Sequence, residues 1–135
     1  MKSFPLTILA LAMLPFAISC KKDSNGGGGG NSATQVVIDL PTNNQIVLNG
    51  SVLKVEGTVT DNDIIGNVSV QIRNKGTGAV LYSAQASTAS VTFYRYTFNW
   101  SVSGVTNPLV ATVKVTGRDV NGGEAFKEVD VNLEP

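Results

Sequence analysis

Leu109-Val110-Ala111-Thr112-Val113-Lys114-Val115-Thr116 and, past Asn121-Gly122-Gly123, Glu128-Val129-Asp130-Val131-Asn132-Leu133 read as two strands joined by a turn. Leu109, Ala111, Val113 and Val115 alternate with Val110, Thr112, Lys114 and Thr116. Val129, Val131 and Leu133 alternate with Glu128, Asp130 and Asn132. A period of two sends successive side chains to opposite faces of a strand, one toward a core and one toward water. The paired glycines supply the positive φ that a tight turn needs.

The same alternation recurs upstream. Leu53, Val55 and Val59 alternate with Lys54, Glu56 and Thr58, and Val68, Val70 and Ile72 with Ser69, Gln71 and Arg73. Asn74-Lys75-Gly76-Thr77-Gly78 is a second turn signal. No apolar residue recurs at helical spacing along this part of the chain. Strands are predicted at about 35–40, 51–60, 67–74, 79–86, 91–102, 109–117 and 124–133. Short strands at this spacing predict an all-β domain over residues 35–135, an antiparallel two-sheet sandwich of about seven strands.

With those limits drawn, the chain resembles bacterial immunoglobulin-like and cadherin-like modules. The likeness rests on the opening Ile38-Asp39-Leu40-Pro41, on Val55-Glu56-Gly57-Thr58-Val59-Thr60-Asp61, on Thr77-Gly78, and on the close from Val113 to Gly123. It implies an immunoglobulin-like sandwich and says little about activity, because that architecture hosts many. The antibody pattern is missing: there is no cysteine pair, and Trp100 falls on the fifth predicted strand.

The other end of the chain speaks of location. Lys2 is followed by an apolar run from Phe4 to Ile18, then Ser19 and Cys20, the sole cysteine. A basic start, a short apolar segment and a small residue before the cut read as an export signal. A spanning helix needs about 20 apolar residues, and this run is shorter and broken by Pro5 and Pro15. The arrangement resembles the lipobox of bacterial lipoproteins, whose cysteine carries a diacylglycerol and becomes the mature N-terminus. The resemblance implies a signal peptide over 1–19, lipidation at Cys20 and attachment to the outer membrane, the leaflet left open. An ordinary secreted protein with an incidental cysteine is the alternative. Residues 20–34 follow as a tether with five consecutive glycines, too poor in apolar side chains to order themselves.

Composition excludes more than it assigns. Ten basic and ten acidic residues balance, and the part from Thr34 onward is slightly acidic, which argues against nucleic acid as a partner. With no histidine, and the one cysteine assigned to lipid, Ser-His-Asp, Cys-His and histidine-zinc chemistry are excluded. A paired-carboxylate hydrolase is formally open, but Glu56, Glu128 and Asp130 alternate with core positions and read as solvated faces. No enzyme and no required cofactor is expected.

Two features could bind something. Asp61 and Asp63 in one loop, with Asp119 and Asn121 in another, would lie at one end of an immunoglobulin-like sandwich, and their oxygens suit a hard cation such as calcium. Equally, Asp and Asn side chains bond their own backbone to stabilise turns. The second feature is the row Tyr94, Tyr96, Phe98 and Trp100 on one face of a strand, with Phe93 and Arg95 on the other. An exposed row would stack on sugar rings; a buried row would be the main bulk of the core, leaving Phe93 and Arg95 as the outward contact.

The function expected is therefore a non-catalytic, lipid-anchored envelope protein whose domain binds or spaces another protein, or adheres. A glycan-binding accessory of a carbohydrate-uptake system is the alternative. Strand order also predicts that the tether enters beside Asp61 and Asp119, with Asn43-Asn44, Lys75 to Thr77 and Gly104 to Pro108 at the opposite pole.

Overall fold

The computed structural model describes residues 34–135; Cys20, the signal segment and all but the last tether residue lie outside the described residues. Those described form six strands and no helix: β1 (Gln35–Leu40), β2 (Gln45–Leu48), β3 (Val52–Asn74), β4 (Val80–Ser101), β5 (Leu109–Asp119) and β6 (Glu124–Glu134).

At 23 and 22 residues, β3 and β4 are too long for one layer of a small domain, and each runs through both. The first half of β3 lies between β1 and the second half of β4, so that Thr58 faces Val37 on one side and Arg95 on the other. The second half of β3 lies between the first half of β4 and β5, with Val70 facing Ala84 and Val115. The register breaks between Thr60 and Asn67, where the strand swings from one layer to the next. β6 extends the second layer beyond β5, and β2 closes its edge. The product is an all-β sandwich of a three-stranded and a five-stranded layer joined at a corner.

Three expectations are corrected. The spans predicted at 51–60 and 67–74 are one strand, as are 79–86 and 91–102. Asp61-Asn62-Asp63 looks like a turn in isolation, but Ile65 is fully buried at the corner and keeps the backbone extended through it. Gln45-Ile46-Val47-Leu48, outside the predicted spans, is a strand, too short to show alternation and with only Val47 buried. It runs parallel to β6, so the sandwich is not antiparallel throughout. Bonds from the Asn44 N–H to the Asp130 carbonyl and from the Asn49 N–H to the Glu134 carbonyl bracket this pairing.

The two layers share a single core. Leu53, Val55 and Val59 of β3 meet Val113, Val115, Val131 and Leu133 of the facing layer in one cluster, and Tyr96, Phe98 and Trp100 supply its bulk. Tyr82 and Trp100 stack at 6.0 Å between ring centres, joining the two halves of β4 across the core. Each large aliphatic side chain so buried contributes about 1.5–3 kcal/mol. The cluster draws on both layers, from Val47 on β2 to Leu133 on β6.

The two poles follow from the register. Gln35 sits opposite Thr60, and the Thr34 hydroxyl donates to the Asp61 carboxylate, so the chain enters beside Asp61 as expected. At the other pole Lys75 N–H bonds the Val110 carbonyl, and Val105 N–H bonds the Asn49 side chain. Asn43 and Lys75 both reach Asp130 there.

Candidate functional site

The corner of β3 and the turn between β5 and β6 meet at the entry pole, and they bring the predicted acids together. Carboxylate oxygens of Asp61, Asp63 and Asp119 lie within 4.8 Å of one another. Asp61 and Asp119, at 7% and 4% exposure, are the buried polar side chains of the described residues, whereas Asp63 is exposed. A buried carboxylate is tolerated only when bonded, and these are. Asp61 Oδ1 accepts the Asp63 N–H at 2.8 Å. Asp119 Oδ1 accepts the N–H groups of Asn121 at 2.7 Å and Gly123 at 2.8 Å. Asn121 turns its side-chain amide toward Asp63, donating to Oδ2 at 3.4 Å.

Local sequence explains the turn. Gly122 adopts φ of +94°, where a side chain is strained, and a Cβ on Gly123 would stand 2.2 Å from Asp119 Oδ2. The Asp119 carboxylate thus replaces the missing bulk of Gly123. Both readings made of these acids hold at the level of geometry: they bond their own backbone, and the three carboxylates form a cluster able to hold a metal ion. Asp119→Ala strips the acceptor from two N–H groups, and such loss costs about 1–3 kcal/mol per buried group. A fall in stability of about 2–4 kcal/mol is expected in urea unfolding. Asp119→Asn, which keeps one acceptor oxygen, should fall between it and the unaltered chain.

The aromatic row is core. Tyr96, Phe98 and Trp100 are buried and Tyr94 is half-buried, so no outward stacking platform forms on this strand. Burial first, and the nearby Asp39 charge second, push the Tyr96 phenol well above its ordinary range. It stays protonated and donates to the Val37 carbonyl at 2.7 Å. Phe93 and Arg95 face outward as expected, Phe93 at 58% exposure, beside Thr60 and Thr58. The sugar-stacking arrangement that a glycan accessory would use is therefore not present along Phe93 to Trp100.

The far pole carries a surface that sequence reading passed over. Ile46, Asn132 and Val110 form one cross-strand row on the outer face of the five-stranded layer, with Leu48 and Glu134 in register beside it. Ile46 is 61% exposed, and Leu48 and Val110 are exposed with it. The available signal was Val110 itself, a valine at a polar position of an alternating strand. Next to this row Lys75 pairs with Asp130; the Lys75 hydrogen bond, then that of the Thr112 hydroxyl, hold the Asp130 carboxyl below its usual range.

No known family profile matches the chain, and no curated protein sequence matches it. Among solved structures it is similar to the CARDB domain of a Pyrococcus furiosus protein in complex with di-metal ions. The identity is 13% and the TM-score 0.41, over 78% of this chain and 94% of that one. At that level the likeness says nothing of what this chain binds.

Proposed function

We propose that the chain is a non-catalytic envelope lipoprotein, held to the outer membrane by lipid on Cys20 and spaced from it by residues 21–34. Its sandwich binds or spaces another protein. The observation that supports this is the polarity of the domain: the chain enters at the Asp61 end, while Ile46, Leu48 and Val110 are exposed at the opposite pole. Exposed apolar side chains that alternate across the strands with Asn132 and Glu134 mix apolar and polar groups, as the surface of a non-obligate protein contact does. With the entry pole nearest the lipid, the opposite pole is the first to meet a partner.

Cys20→Ala should release or mislocalise the protein, because lipid on that residue is the proposed attachment; retention in the membrane fraction would refute the anchor. A photo-crosslinker at Ile46 should trap protein partners in intact cells, and one at Val120, on the entry pole, should not. Equal capture at both would refute the polar display. For the acidic pole we propose calcium as the cation that Asp61, Asp63 and Asp119 would take, since it favours several oxygen ligands. Millimolar calcium should then raise the melting temperature, and Asp63→Asn should remove the rise; no rise in the unaltered chain would leave these acids a turn-forming role alone.

A further inference from the structure

Among the described residues, asparagine precedes glycine twice, at Asn49-Gly50 and at Asn121-Gly122. The pair matters chemically because glycine has no Cβ to crowd its own backbone nitrogen. That nitrogen can then reach the side-chain carbonyl carbon of the asparagine before it. Both pairs are exposed, so water and base reach both. What differs is how firmly the fold holds the two nitrogens.

At Asn49-Gly50 the nitrogen is occupied. The Gly50 N–H donates to the Val102 carbonyl at 2.8 Å, and the Val102 N–H returns a bond to the Ser51 carbonyl at 2.9 Å. The Asn49 N–H is held by the Glu134 carbonyl at 2.7 Å, and the Asn49 side-chain oxygen accepts the Val105 N–H at 3.3 Å. At Asn121-Gly122 the strong bonds pass on either side of the reacting atoms. The N–H groups of Asn121 and Gly123 go to Asp119 Oδ1, whereas that of Gly122 reaches the Asp119 carbonyl only at 3.4 Å. The Asn121 side-chain amide donates to Asp63 Oδ2 at 3.4 Å as well. Both distances lie beyond the usual range of about 2.7–3.2 Å for such bonds. The nitrogen that would attack and the group that would leave are the loosely held parts of this turn.

We propose that Asn121 is a site of spontaneous deamidation. The Gly122 nitrogen loses its proton to hydroxide and bonds to Asn121 Cγ. The Cγ–Nδ2 bond then breaks, and ammonia leaves with a proton taken from water. A second water opens the resulting succinimide ring at either carbonyl, leaving aspartate or isoaspartate at position 121. The sum is amide plus water to acid plus ammonia, so no oxidant, reductant or enzyme is required.

The product alters the entry pole in charge and in shape. Carboxylates of Asp61, Asp63 and Asp119 already lie within 4.8 Å of one another. Aspartate at 121 sets a further carboxylate against Asp63 Oδ2 where an amide donor stood, and like charges there repel. Isoaspartate carries the backbone through the side chain and lengthens the turn that brings the Asn121 and Gly123 N–H groups onto Asp119. The pole therefore ages toward more negative charge and a weaker turn.

The test is to incubate the purified full chain in mildly alkaline buffer and follow its tryptic peptides by mass spectrometry. Peptide 119–127 should gain the mass of an amide-to-acid exchange, and an isoaspartyl methyltransferase should label it. Conversion at Asn121 should be at least about tenfold faster than at Asn49, a barrier difference of about 1.4 kcal/mol. In guanidinium chloride neither nitrogen is held, and the gap should close. Asn121→Gln keeps the amide but must close a larger ring, so it should end conversion at 121 and leave folding intact. Asn121→Asp, the direct product, should melt below the unaltered chain at low salt. Conversion at Asn121 no faster than at Asn49, or a gap that persists in guanidinium chloride, would overturn the proposal. So would the same mass gain at 121 in the Asn121→Gln chain. An Asn121→Asp chain as stable as the unaltered one would overturn the effect on the pole.

Discussion

Gly57→Ala is expected to detach β1 from the sandwich and to lower stability by about 3 kcal/mol or more. A Cβ at Gly57 would stand 2.0 Å from the Val37 carbonyl oxygen and 2.5 Å from the Tyr96 hydroxyl. The tyrosine can swing aside, but the backbone oxygen is held by the ladder pairing Val37 with Thr58. Relief therefore requires β1 to retreat, which breaks its bonds to β3 and the Tyr96 bond to Val37. Each lost bond removes about 1 kcal/mol in addition to the strain. For a domain of this size the melting temperature should fall by more than about 12 °C, at 4–8 °C per kcal/mol. Amide exchange over residues 35–40 should rise before that of β5 or β6. Tyr96→Phe alone should cost only about 1 kcal/mol, and adding it to Gly57→Ala should recover little, since the carbonyl remains in place. A Gly57→Ala variant within 1 kcal/mol of the unaltered chain would show that the close approach is not rigid.

Trp100→Ala is expected to cost about 3–5 kcal/mol, the range for emptying a large aromatic from a core. Trp100 lies opposite Leu53 on β3 and stacks on Tyr82 of the other half of β4. Its removal opens a cavity between the layers and ends the stacking, which itself adds about 0.5–1.5 kcal/mol. Trp100→Phe should restore part of this. Because Trp100 is the only tryptophan, unfolding must be followed by circular dichroism instead of intrinsic tryptophan emission. A loss below about 1 kcal/mol would place this side chain at the surface and refute its part in the core.

These two residues were unequally legible. Trp100 sits on a row with Tyr96 and Phe98 at every second position, which narrows its place to an exposed stacking row or the main bulk of the core, and burial of the facing strands settles it as core. Gly57 looks like any glycine in a strand. Its role arises because Tyr96 crosses over it to reach a strand lying 59 residues away from that tyrosine in sequence. The acids were half legible: order along the strands brought Asp61 and Asp119 to one pole, but nothing local foretold that both would be buried.

What the sequence determined by itself is what depends on neighbours one or two residues apart. Each of the seven predicted spans falls on a strand to within one residue at its ends, turn glycines separated most of them, and parity chose the core face where alternation was read, as at Val68, Val70 and Ile72. Tertiary structure decided what depends on partners far along the chain. Whether a strand stops at Asp61 or swings into the next layer depends on a cavity for Ile65 that the facing layer supplies. Whether Gln45 to Leu48 is a strand depends on β6, some 86 residues later. Which edge of β4 is left open depends on where every other strand has gone. Hydrogen bonding between strands is non-local, and the period of two that reveals a strand carries no information about its neighbour.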